Sequence, residues 1–140
     1  MKYALIFLFL FFSCNKIETK GSLEKKDIKR IEDLGLLDKN ENIYKFYSEF
    51  NKKHAGNFFS DKRIATYWID DRKKDKTKIS FAFYKDIKTI DTIYNAGATY
   101  SPYMLITKKN RDSFKVSVNG SKKDIRMFFE EALEQWRKNK

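Results

Sequence analysis

The apolar positions of this chain follow three different rhythms. Residues 3–12 are apolar without a break, residues 43–118 alternate in short runs, and residues 125–136 recur every third or fourth place. Alternation predicts half-buried strands, because successive side chains point to opposite faces of a sheet. The runs fall at 43–50 (IYKFYSEF), 57–59, 64–70 (IATYWID), 79–84 (ISFAFY), 87–94 (IKTIDTIY), 103–107 (YMLIT) and 114–118 (FKVSV). In the last of these Phe114, Val116 and Val118 alternate with Lys115, Ser117 and Asn119. Ile125, Phe128, Phe129, Ala132, Leu133 and Trp136 share one stripe of a closing helix. Ser121 and Asp124 are placed to cap its start, and Arg137, Lys138 and Lys140 sit at its cation-favouring end. A shorter helix is predicted over 22–34, capped by Ser22, carrying Ile28, Ile31 and Leu34, and stopped by Gly35. Strands followed by one amphipathic helix predict an α+β domain, a small antiparallel β-barrel or sandwich plugged at the end.

The unbroken run at the N-terminus has another meaning. Lys2, about ten apolar residues and the small Ser13 form the pattern of a secretory signal peptide. The run is too short to cross a bilayer, which takes about 20 apolar residues. Cys14, directly after Ser13, resembles the lipidated cysteine of the bacterial lipoprotein lipobox, with Phe11 where that motif usually has Leu. The resemblance implies a signal peptide at 1–13, a lipid on Cys14, a polar tether through residue 22 and one domain over 23–140. It also implies a membrane-anchored protein of the bacterial cell envelope, outside the cytoplasm. Cys14 is the one cysteine among 140 residues. Once it carries lipid, no thiol remains for a disulfide, a metal or a nucleophile.

A second resemblance lies further on. Phe59-Ser60-Asp61-Lys62-Arg63-Ile64 is similar to a turn of bacterial pleckstrin-homology-like (PH-like) domains, and Tyr84-Lys85-Asp86-Ile87-Lys88-Thr89-Ile90 to one of their strands. They occur in the family's order, ahead of a charged hairpin and an amphipathic helix. The likeness spans residues 41–138 and implies a bent antiparallel barrel with one end closed by the last helix. The first helix and the loop at 95–102 depart from the pattern. The fold carries no single function, since function resides in sites built on it.

Catalytic groups are sparse. The single histidine, His54, lies in the polar NKKHAGN segment and reads as a solvated loop residue. Asp70-Asp71 reads as a solvated turn, because neighbours on a strand point apart. Ser22-x-x-Lys25 matches a spacing of some acyl-transfer enzymes, but Ser22 reads as a helix cap. No phosphate-binding loop or calcium loop is present, and with one histidine and no free thiol no ordinary zinc set can be assembled. The expectation is a non-enzymatic protein without metal or cofactor.

Composition turns attention to the surface. Thirty Lys and Arg against nineteen Asp and Glu give a net charge of +11, and the cations cluster in turns at 52–53, 72–78, 108–111 and 122–123. Aromatics crowd the β region. Tyr67 and Trp68 are neighbours on one strand, so one is expected inside and the other outside. The outward one, with Tyr100 and Tyr103, is the candidate contact surface, and Lys73, Lys74, Lys76 and Lys78 are the candidate steering charges. The expected role is a binding or accessory module for an envelope protein partner, with an immunity-type inhibitor lipoprotein as one subclass of that role. The alternative is an anionic lipid or glycan. Nucleic acid is not expected as a partner outside the cytoplasm.

Overall fold

The computed structural model describes residues 16–140; the predicted signal peptide and Cys14 lie outside them. Helix α1 spans Lys25–Asp33. Seven strands follow: β1 Ile43–Tyr47, β2 Ala55–Ser60, β3 Arg63–Trp68, β4 Lys78–Phe83, β5 Ile87–Ile93, β6 Tyr103–Lys108 and β7 Ser113–Ser117. Helix α2, Lys122–Asn139, closes the chain. Strands β1–β4 form one antiparallel sheet in sequence order, and β5–β7 form a second. The expected α+β sandwich with a closing helix is the observed architecture.

The first sheet is covered on both faces. Phe59, Ile64 and Ala82 pack with Met104, Ile106 and Val116 of the second sheet and with Phe128, Phe129 and Ala132 of α2. Phe59 meets Phe128 edge-on, with ring centres 5.1 Å apart. On the other face Phe46, Phe58, Ala65 and Tyr67 pack under Ile31 of α1 and under Leu36 and Leu37. All six residues of β2 are therefore buried, which is why this strand shows no alternation of polar and apolar residues. On α2, Phe128 and Phe129 are buried as predicted, whereas Leu133 and Trp136 are only half-buried.

Helix α1 ends as predicted. Gly35 adopts φ +76°, Leu36 N–H donates to Ile31 O and Gly35 N–H to Glu32 O, the paired bonds that satisfy a helix's last carbonyls. Its start is a correction. The N-cap is Glu24, without a side-chain cap bond. Ser22 lies before it in a turn, where its Oγ accepts from Thr19 N–H and donates to Thr19 O, both at 3.0 Å. The stretch read as tether is held to the domain: Glu18 and Phe46 exchange two backbone hydrogen bonds of 2.7 Å across the edge of β1. Ile17 packs against the core beside this bridge.

The turn that carried the PH-like resemblance has a structural task. Ser60 Oγ accepts from the N–H groups of Lys62 and Arg63, both at 3.0 Å, and donates to Glu41. Arg63 forks onto Glu41 at 2.9 and 2.8 Å, and its guanidinium lies 4.6 Å from the Phe83 ring centre and 5.0 Å from that of Phe81. These side chains are 3% and 0% exposed. The ion pair thus ties the segment before β1 to the β2–β3 turn, inside the protein.

Candidate functional site

Antiparallel order places the β1–β2 loop, residues 48–54, and the β3–β4 loop, residues 69–77, at the same end of the first sheet, opposite Arg63. Between them lies a cleft of about 500 Å³. One wall is aromatic: Phe50 and Trp68 stand 6.3 Å apart, 62% and 41% exposed. Arg72, Lys73 and Lys76 line another part.

The loops are stitched together by side chains. His54 Nε2 meets Asp71 Oδ2 at 2.7 Å, and Nδ1 meets Asn51 Oδ1 at 2.7 Å. The same Asn51 oxygen accepts the His54 backbone N–H at 3.1 Å, which identifies it as an acceptor. Both ring nitrogens therefore face oxygen atoms of the two loops. Asp70 accepts the N–H groups of Arg72 and Lys73, both at 2.9 Å. Those two bonds hold its carboxyl below the usual carboxylate range, and the His54 hydrogen bond does the same for Asp71. Both carboxylates are thus occupied within the loops. Arg72, Lys73 and Lys76 make no ion pair within 4.0 Å among the described residues, although the charges of Arg72 and Lys76 also act on Asp70.

In the β1–β2 loop, by contrast, Lys53 pairs with Asp71 at 3.9 Å, and Lys52 is held away from the cleft. It pairs with Glu18 at 2.8 Å and with Asp27 at 3.7 Å. Partial burial works against its charge, but the Glu18 hydrogen bond and the charges of Glu18, Asp27 and Glu24 outweigh this and hold its pKa above the usual lysine value.

Sequence-predicted residues are sorted by these contacts. Trp68, Lys73 and Lys76 line the cleft; Lys74 and Lys78 do not. Tyr67 is removed from the contact surface: it is 1% exposed, packs on the α1 side of the sheet and donates its hydroxyl to Lys52 O. Burial raises its pKa strongly. Tyr100 is 73% exposed on the β5–β6 loop and does not line the cleft. Tyr103 opens β6, with the Lys115 ammonium 4.5 Å above its ring. The aromatic residues expected to act together therefore occupy separate places. His54 and Asp71, read as solvated, form the stitch instead. The alternating run at 43–50 places Phe50 at the end of a strand, but β1 stops at Tyr47 and leaves Phe50 on the loop. An aromatic next to a polar NKK run was the available signal.

No family model matches the chain, and no curated protein matches it. A solved structure does: a DUF1696 family protein with a pleckstrin-homology domain from Shewanella loihica PV-4. It is 11% identical, with a TM-score of 0.56, over 87% of this chain and 97% of that one. At such identity the likeness concerns the fold alone, and with the two sheets and closing helix it shows that this chain has a PH-like α+β fold.

Proposed function

We propose that this protein is a lipid-anchored binding module of the bacterial envelope, attached through Cys14, whose loop end contacts an acidic envelope protein. The observation that carries this reading is the cleft, where an exposed aromatic pair meets three cations without ion partners. Exposed aromatics supply contact energy, and unpaired cations speed encounter with acidic surfaces. Binding rather than catalysis is favoured because the one histidine has both ring nitrogens engaged. Among the described residues no group of three or more His, Cys, Asp or Glu is arranged to hold a metal. None of their helices is long and apolar enough to cross a membrane.

Glu18 gives the anchor a direction. It pairs antiparallel with Phe46, so the chain before it heads toward the β1–β2 loop. Four residue steps separate Cys14 from Glu18, a reach of at most about 14 Å. A lipid on Cys14 would hold the loop end close to the bilayer. This proximity favours a second reading, in which the basic loop rests on anionic lipid, worth about 1 kcal/mol per cation.

Association of the lipidated full-length protein with its partner in native membranes tests the proposal. Changing Lys73, Lys74, Lys76 and Lys78 together to Ser should leave thermal stability within about 0.5 kcal/mol. It should slow association and flatten its salt dependence. Cys14→Ser should take up no labelled fatty acid. Unchanged kinetics at low salt, or label on Cys14→Ser, would overturn the reading.

A further inference from the structure

We infer that the Phe50–Trp68 cleft is a subsite for a uronic-acid-type saccharide, a pyranose ring bearing a carboxylate. The inference rests on the loop end being the contact surface and names the ligand class it would take. Three observations lead there. The first is the pairing of ring faces with cations. Phe50 and Trp68 offer exposed aromatic surface side by side, and Arg72, Lys73 and Lys76 border the same space without ion partners. A sugar acid matches both features. The C–H face of its ring packs on aromatic faces, and its carboxylate accepts from Arg or Lys. The cleft, about 500 Å³, lies within the usual range of about 300–1,000 Å³ for small-ligand sites.

The second observation concerns the backbone. The N–H groups of Ile69, Asp70, Arg72, Lys73, Lys76 and Thr77 are all spent inside the loops, on His54 O, Thr77 Oγ1, Asp70 Oδ1, Lys73 O and Lys74 O. An extended peptide gains much of its affinity from main-chain pairing, and these groups offer none. At these positions recognition falls to side chains, which suits a saccharide.

The third separates a saccharide from a bilayer. Residues 70–78, DDRKKDKTK, contain no apolar side chain, so the loop apex has nothing to insert among acyl chains. The exposed apolar side chains of this end, Phe50 on the β1–β2 loop and Trp68 where β3 ends, line the cleft instead. Two carboxylates, Asp70 and Asp71, also border the cleft, and the three cations Arg72, Lys73 and Lys76 outnumber them, so the lining keeps a positive balance for an anion.

The test uses the full-length protein in neutral detergent, titrated with tetragalacturonate and with a hyaluronan tetrasaccharide. Binding is followed by calorimetry and tryptophan fluorescence. Neutral maltotetraose, polyglutamate of matched charge and phosphatidylglycerol vesicles are the comparison probes. The expected result is saturable binding of at least one acidic saccharide, with maltotetraose inert. Trp68→Ala and Phe50→Ala should each weaken it by about tenfold or more. Lys73→Ser with Lys76→Ser should weaken it and flatten its salt dependence. These side chains are exposed, so circular dichroism should be unchanged in all three variants. Failure of both saccharides to bind, or equal affinity in Trp68→Ala, overturns the inference. If polyglutamate or vesicles bind instead, with the same losses in the variants, the saccharide is wrong while the loop-end contact surface stands. If no acidic probe binds and the lysine variant behaves as wild type in membranes, the functional reading falls as well.

Discussion

The two ends of the four-stranded sheet handle charge in opposite ways. At the β2–β3 end, Arg63 and Glu41 are buried, doubly hydrogen-bonded to one another and flanked by Phe81 and Phe83. At the β1–β2 and β3–β4 end, Arg72, Lys73 and Lys76 stand in solvent without an ion pair while two aromatic rings lie bare beside them. The PH-like sequence motif marks the first end, and no motif marks the second. Burial explains the difference. A charge removed from water must be matched in place by fixed partners, and such a requirement restricts residue identity at several positions at once. A solvated charge on a loop restricts nothing around it and leaves no pattern in the chain.

The most damaging way to break this contrast is to remove one partner at the closed end. Arg63→Ala should strand the Glu41 carboxylate in the interior and destabilise the fold by about 3–5 kcal/mol, measured by denaturant unfolding. Replacing both residues with Met should cost much less. If the single and double variants unfold alike, the pair is not what organises that end.

A smaller effect is expected from the buried support beneath the cleft. Gly56 lies directly opposite Tyr67 in the sheet. A Cβ there would fall 2.4 Å from Tyr67 Cε1 and 2.8 Å from Phe46 Cε2. Gly56→Ala must displace these rings, at a cost of about 1–3 kcal/mol. It should also loosen the Tyr67 hydrogen bond to Lys52 O that steadies the β1–β2 loop. Thermal unfolding reads the first effect, and hydrogen exchange at 48–54 reads the second.

The mildest perturbation is acid. Asp70 and Asp71 are held below the usual carboxylate range, by backbone hydrogen bonds and by His54 respectively. A depressed folded-state pKa means that the associated order is present above the ordinary value, about 3.9, and is lost as pH falls below it. The amides of Arg72 and Lys73 should therefore lose exchange protection on acidification before the amides of β2 do. Simultaneous loss along β2 and the loop would show that the two ends are not independent.

The strand runs, the closing helix and the Gly35 stop were legible in the chain because each depends on local spacing. Alternation identified β7, the 3.6-residue stripe identified α2, and a left-handed turn needs glycine wherever it occurs. Trp68 was legible as one of a pair, but not which of the pair. With both faces of the first sheet covered, parity along β3 separates two interiors rather than inside from outside. Tyr67 is buried because α1 lies over it, and Trp68 is exposed because its strand ends there.

What the sequence by itself determined about this protein is most of its secondary structure and its charge, properties of neighbouring residues or of composition. The tertiary structure alone decided which cations are free, that His54 joins Asn51 and Asp71, that Phe50 meets Trp68, and that Glu18 is pinned to β1. Those contacts link residues up to 28 places apart, between Glu18 and Phe46. They form only once hydrophobic burial has drawn the sheet and its two loops together, and nothing in the local pattern encodes that juxtaposition.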